Sequence, residues 1–236
     1  MDISAYQDYI NKPWGRLFYR LVWHRLPFSG KNILDFGSGL GVTADHLAQC
    51  NAVTAVEPDS EMLAHRLHDH SYRQIQGGME QLPLMPEGSF DVILCHNVLE
   101  YVEDRSALLE AFSRLLKPGG ILSVVKHGKK GKIMHKAVFE NNIDEAMQLL
   151  GGGVPLSQHF GAINEYEVEA LKRLLPDCFV LEKLCGIRTF YGIQPNVFKN
   201  DPQWEERMFR LECAVEENPS YADIAFFQHL LFRKMQ

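Results

Sequence analysis

From Asn32 onward, short runs of apolar residues alternate with stretches whose apolar positions recur every third or fourth residue. The short runs predict buried strands over residues 32–36, 52–57, 72–76, 90–95 and 120–126; the longer-period stretches predict helices near 41–49, 60–69 and 105–116. Lys117-Pro118-Gly119-Gly120 reads as a helix stop and turn, because proline cannot continue a helix and glycine tolerates positive φ. This strand–helix–strand rhythm predicts an α/β fold with a mostly parallel, doubly wound sheet. Upstream, residues 13–26 predict a helix on which Trp14, Phe18, Tyr19 and Trp23 form a core-facing stripe. Beyond the fifth strand the rhythm changes. One or two helices are expected over 129–150, then a Gly151-Gly152-Gly153 turn, a helix over 165–175, a strand over 178–190, a helix over 203–217 and a last strand over 224–233. The strands then number seven, and the segments 127–160 and 191–223 become helical lid inserts on one domain spanning 1–236. Open parallel sheets bind ligands outside the carboxyl ends of their strands, where such inserts would sit.

Composition narrows the class. A chain of 236 residues with 46% hydrophobic content has the size of one domain and can bury a sizeable core. The net charge of −6 argues against a surface that grips nucleic acid all over, though not against a local basic patch. Five scattered cysteines without a CxxC pair point away from a disulfide framework or a zinc site, so no metal is expected. The start carries Asp2 and Asp8 and no apolar run, and no stretch of ~18 apolar residues occurs anywhere, so neither a signal peptide nor a membrane span is expected. The expected location is the cytoplasm.

The most informative stretch is Ile33-Leu34-Asp35-Phe36-Gly37-Ser38-Gly39-Leu40-Gly41. An apolar strand carries an acid near its end, then three alternating glycines lead into a helix. Glycines let the backbone turn tightly and bring amides close to a ligand. Further on, Val53–Val56 runs into Glu57, at the strand end where an acid accepts hydrogen bonds from a ribose diol. A nicotinamide site needs G-x-G-x-x-G, but Val42 stands in the third glycine's place, and Asp35 would repel a pyrophosphate. No Gly-Lys-Ser/Thr follows, so a P-loop is absent. An acid before the glycines suits a ligand that presents an ammonium group.

Three more segments complete the pattern: Gly78-Met79-Glu80-Gln81-Leu82-Pro83, His96-Asn97-Val98-Leu99-Glu100-Tyr101-Val102, and Leu115-Leu116-Lys117-Pro118-Gly119-Gly120. In order and spacing, residues 32–125 resemble a class I S-adenosylmethionine-dependent methyltransferase with its Rossmann-like sheet. The resemblance implies that Gly37, Gly39 and Gly41 line the methionine part of S-adenosylmethionine and that Asp35 sits by its ammonium. Glu57 would hold the ribose hydroxyls, Pro58 would lie against the adenine, and Met79 would offer it a backbone amide. Many relatives carry an acid where this chain has Gly78; Glu80 is the candidate to replace it.

A second, finer resemblance runs through Pro13-Trp14-Gly15-Arg16, Ile133-Met134-His135, Asn142-Ile143-Asp144, Gly186-Ile187-Arg188-Thr189-Phe190, Leu211-Glu212, Pro219-Ser220-Tyr221 and His229. Together these resemble the bacterial tRNA 5-carboxymethoxyuridine methyltransferases, which esterify a carboxylate on a wobble uridine. That likeness implies that Arg16 pairs with the cofactor carboxylate and that His96 sits beside the reaction centre, both as a cofactor contact and as the catalytic candidate. The family's lysine cluster is replaced here by Leu149-Leu150-Gly151-Gly152-Gly153-Val154, and basic density falls instead on Lys126, Lys129, Lys130 and Lys132.

A sulfonium is already electrophilic, so alignment and water exclusion are the protein's main tasks. A carboxylate acceptor is ionised at neutral pH and needs only a cation to hold it; a hydroxyl or amine needs a base. His96, His127 and His135 are the candidate polar groups, Arg188 the candidate carboxylate clamp, and Tyr191 a candidate wall of the acceptor site. Each also has a plainer reading as a core or surface residue. The expected partner is a small molecule or tRNA. The other readings kept open are a small-molecule O- or N-methyltransferase, a nicotinamide-dependent oxidoreductase and a non-catalytic S-adenosylmethionine-binding protein.

Overall fold

The computed structural model describes residues 3–153, 156–157, 161–162 and 164–236. In chain order the elements are α1 (Ile3–Asn11), α2 (Pro13–His24), β1 (Asn32–Phe36), α3 (Val42–Ala48), β2 (Ala52–Glu57), α4 (Ser60–Ala64), β3 (Arg73–Gln76), β4 (Phe90–His96), α5 (Arg105–Leu115) and β5 (Leu116–His127). There follow α6 (Lys129–Met134), α7 (Ile143–Leu150), the short pair β6 (Leu156–Ser157) and β7 (Gly161–Ala162), α8 (Val168–Leu174), β8 (Phe179–Ile187), α9 (Trp204–Val215), α10 (Pro219–Ile224) and β9 (Phe227–Lys234).

Seven strands form one mostly parallel sheet in the order β3-β2-β1-β4-β5-β9-β8. β1 pairs in parallel with both β2 and β4, and β2 with β3, in a register that aligns Asp35 with Ala55 and Leu94. The order reverses at β1, because β2 and β3 build outward on one side and β4 on the other. Such a switch point leaves a crevice at the carboxyl ends of the two central strands. Ile33, Leu34, Val92, Ile93 and Leu94 are all fully buried, as strands covered on both faces must be.

The chain forms two compact units. The first comprises Pro27–Val124, Tyr166–Glu182 and Leu230–Gln236; the second joins Met1–Leu26, Val125–Glu165 and Lys183–His229. Both expected inserts belong to the second unit, although residues 154–155 and 158–160 of the first insert, with the Val154 quoted above, lie outside the described residues.

Most expected elements are present, with shifted ends. The Lys117-Pro118-Gly119-Gly120 turn lies within the first half of β5, where Gly119 at φ 78° keeps the expected kink. Residues 129–150 form α6, a π-helical turn at His135–Phe139, and α7. The last strand was expected from residue 224, but α10 ends there. Pro219 at the first helical position and Asn218, whose side chain accepts from the Ser220 amide at 3.0 Å, start a helix that the apolar run had concealed.

Candidate functional site

The first unit brings the carboxyl ends of β1, β2 and β4 together. After Phe36 the backbone reverses through Gly37, Gly39 and Gly41, all with φ between 55° and 76°. A Cβ on Gly37 would strike Val98 on the loop after β4, and one on Gly41 would strike the Tyr72 hydroxyl. Only glycine permits that approach in that conformation. Gly37 and Ser38 donate their amides to the Val56 carbonyl at 2.8 and 3.1 Å, anchoring the turn on β2. Glu57, at the end of β2, accepts from the Gly39 amide at 2.8 Å and from the Asp59 amide at 3.0 Å. A carboxylate has about four lone-pair sites, so two amides leave it able to take a diol.

Three observations show that these residues fit an amino-acid head group. Asp35 is only 4% exposed, and burial together with the Glu57 carboxylate raises its pKa to about 7. Ser38 Oγ and Asn97 Oδ1 are buried without a hydrogen-bond partner among the described residues. A Cβ on Gly39 would meet no heavy atom within 4 Å, so the loop is open on that side. A buried carboxyl with two unsatisfied oxygens is matched by an ammonium donor. Asn97 itself adopts φ 55°, a left-handed conformation uncommon outside glycine and enriched at functional sites.

His96 closes β4, and its Nε2 lies 2.9 Å from Ser123 Oγ. Burial lowers its pKa to about 3, so the imidazole is neutral across the physiological range and suits hydrogen bonding rather than proton abstraction. Pro58 is exposed, and half-buried Met79 opens a short 3-10 helix, Met79–Leu84. Glu80 turns back so that its Oε1 accepts from the Gly78 amide at 2.7 Å; that bond, above all, holds its carboxyl below the usual range.

The second unit holds the remaining expected residues. The Arg16 guanidinium donates to Glu205 Oε2 through Nε and NH2 at 3.1 and 2.9 Å and to the Asn11 carbonyl at 2.6 Å. His127 packs against the Phe226 and Phe227 rings. His135 is a buried histidine with both nitrogens engaged, Nδ1 on the Gly192 carbonyl and Nε2 3.3 Å from Glu140; burial, then the Arg188 charge, lowers its pKa to about 4. Arg188, at φ 64°, donates to the Tyr9 hydroxyl at 3.3 Å and lies 4.2 Å over the Phe226 ring. Tyr191 is buried, its hydroxyl without a partner among the described residues.

Two residues of this unit were given no role from the sequence, although Glu212 stands in one of the motifs quoted above. Glu212 is fully buried and accepts from the amides of Thr189, Phe190 and Tyr191 at 3.0, 2.8 and 3.3 Å, which fixes the turn after Arg188. Its signal is a carboxylate on the apolar stripe Trp204, Met208, Glu212 of α9. The other, Lys199, is a buried lysine among aromatic rings, with no sequence signal at all.

The basic run of the first insert is largely committed to internal partners. Lys126 Nζ donates to the His127 carbonyl at 2.7 Å, Lys130 pairs with Asp223 at 2.5 Å, and Lys132 stands 3.7 Å from Glu165. Two clusters of metal-type donors occur among the described residues, His24–Cys213–Glu216 and Cys185–Glu216–Glu217. They share Glu216, whose carboxylate is already bonded to Arg25 at 2.5 Å. Among the described residues no helix is long and apolar enough to cross a membrane.

Residues 34–124 match the family described as methyltransferase domain. A ubiquinone biosynthesis O-methyltransferase from Albidiferax ferrireducens is 37% identical over 112 residues, which is 43% of this chain and 44% of that protein. Its counterpart from Pseudomonas aeruginosa is 37% identical over 123 residues, 47% of this chain and 52% of that protein. The chain thus spans about half the length of the curated relatives it matches. These relatives are named for ubiquinone biosynthesis, not for tRNA modification. Crystal structures of S-adenosylmethionine-dependent methyltransferases from Mesorhizobium loti and Thermotoga maritima are similar with TM-scores of 0.61 and 0.65. Their identities are 16% and 17%, over 92% and 100% of this chain and 98% and 96% of theirs, and establish the fold. The chain shares the fold of the class I S-adenosylmethionine-dependent methyltransferases, and its residues 34–124 match the methyltransferase-domain family.

Proposed function

We propose that the protein transfers the methyl group of S-adenosylmethionine to an oxygen of a small-molecule acceptor. The observation that carries the reading is the cluster at the strand ends of the first unit: buried Asp35, the positive-φ glycines, and Glu57 bonded to the Gly39 amide. S-adenosylmethionine, when bound, supplies a methyl group on an electrophilic sulfonium. Asp35 would receive its ammonium, Gly37, Gly39 and Gly41 would admit its methionine chain, and Glu57 would accept from its ribose. Pro58, Met79 and Glu80 would border the adenine. By the resemblance Arg16, whose guanidinium is bonded to Glu205, would pair with the cofactor carboxylate. His96, uncharged and bonded to Ser123, would orient groups by hydrogen bonding.

Oxygen as the acceptor is supported by the relatives named as O-methyltransferases. In the second unit, Arg188, His127, His135 and Tyr191 remain the candidates for acceptor binding, with Arg188 the strongest. The tRNA reading rests on the ordered motifs shared with the 5-carboxymethoxyuridine enzymes. A phosphate-gripping surface needs uncommitted cations, and Lys126, Lys130 and Lys132 are tied to neighbours, which favours a small acceptor. Mass spectrometry of bulk tRNA nucleosides from cells with and without the protein separates the two. An unchanged wobble-uridine profile fits the small-molecule reading, and loss of its methyl ester overturns it.

A further inference from the structure

One half of the glycine turn is fixed by a strand and the other half by a loop. Gly37 and Ser38 donate to the Val56 carbonyl and Gly39 to Glu57, so this half is anchored on β2. The Leu40–Gly41 half meets instead the segment 65–72, which joins α4 to β3. The Leu67 amide donates to the Leu40 carbonyl at 2.8 Å. The Tyr72 hydroxyl donates to the Leu67 carbonyl and stands so close that a Cβ on Gly41 would strike it; the Leu67 carbonyl itself lies 3.2 Å from that point. A third tether comes from α3, the helix that the turn opens. There Asp45, 7% exposed, accepts the His70 amide through Oδ1 at 2.8 Å, and its Oδ2 lies 3.1 Å from His70 Nδ1.

Every residue from Leu63 to Tyr72 except none in the core is exposed or half-buried, so apolar packing does little to hold this loop. Its hydrogen bonds hold it, and segments held in that way open at low free energy. The turn brings a second demand. Glycine has the most backbone freedom to lose, so a ligand that has to order three positive-φ glycines binds more weakly than one that finds them ordered. The loop offsets that loss in advance by holding Leu40 and Gly41 in place.

Resting on the methyltransferase reading, we infer that Tyr72 and the Asp45–His70 pair are positioning residues for the cofactor. Acting through the loop, they keep the Leu40–Gly41 half of the turn shaped for the amino-acid end of S-adenosylmethionine. The ribose end depends on Glu57, which β2 anchors separately. Loosening the loop should therefore weaken the hold on one end of the ligand and spare the other.

The test is calorimetry on the whole chain with two probes, S-adenosylhomocysteine and methylthioadenosine, which share the nucleoside and differ in the amino-acid end. Tyr72→Phe removes one hydroxyl and keeps the ring. It should weaken S-adenosylhomocysteine about three- to tenfold, the range of one lost hydrogen bond, and leave methylthioadenosine within about twofold. His70→Ala should show the same split, and His70→Asn, whose side-chain amide can still donate to Asp45, should restore most of the affinity. In the unliganded Tyr72→Phe variant, hydrogen exchange at the Leu67 amide should quicken. A purely structural role would lower the unfolding temperature of the variants and leave both affinities unaltered, and that result would overturn the inference. So would an equal loss for the two probes, or a His70→Asn variant no better than His70→Ala. Failure of the unaltered chain to bind either probe would overturn the methyltransferase reading, and the inference with it.

Discussion

Asp35 carries a carboxyl that the fold holds near neutrality, and its titration reports on the site. Desolvation and the Glu57 charge raise its pKa from 3.8 to about 7. A raised carboxyl contributes stability that is fully present below about pH 4 and is lost as pH rises through about 7, so ionised Asp35 strains the unliganded fold. A bound ammonium relieves that strain. Affinity for S-adenosylmethionine should therefore rise between about pH 6 and about pH 7.5 and level off as the ligand's own amine, with a pKa of about 8, begins to lose its proton. Calorimetry across that range checks it. In Asp35→Asn the affinity should fall about tenfold or more and the rise should vanish. Asp35, Glu57 and the glycines were legible in the sequence because a strand end followed by alternating glycines admits few backbone paths. Lys199 was not, because lysine is ordinarily solvated and its burial depends on Trp14, Phe139 and Tyr191 arriving from distant segments.

Between elements, the loop after β1 and the loop after β4 approach so closely that Gly37 touches Val98. Gly37→Ala would combine a left-handed residue, costing about 1–2 kcal/mol, with a collision against Val98. S-adenosylhomocysteine binding should be lost or severely weakened. Adding Val98→Ala should restore part of it, since the collision is relieved and the backbone strain is not. An equal loss in the single and double variants would contradict the close approach. On α9, Glu212 ties the turn after Arg188 through three amides. Glu212→Gln keeps the shape but weakens charged hydrogen bonds, so thermal unfolding should show a loss of about 1–3 kcal/mol while S-adenosylhomocysteine affinity is unchanged. The apolar pattern read strands and helices well where one period ruled. It started the last strand too early, at Ile224, which ends α10; the signal of that helix lay in Asn218 and Pro219.

For the whole molecule, the fold was legible because seven apolar runs separated by helical stretches leave little choice but a doubly wound sheet. Its functional partition was not, since the expected inserts and the first 26 residues gather into a unit of their own. That unit holds the candidate acceptor residues, while every residue assigned to the cofactor except Arg16 lies in the other. The account's central claim is that the strand ends of β1, β2 and β4 bind a sulfonium nucleoside through Asp35 and Glu57. Calorimetric titration of the whole chain with S-adenosylhomocysteine, beside NAD, tests it most directly. One ligand per chain is predicted, weakened at least about tenfold, or about 1.4 kcal/mol, by Glu57→Gln, with no heat from NAD. Binding of NAD, or S-adenosylhomocysteine affinity indifferent to Glu57→Gln, would contradict it.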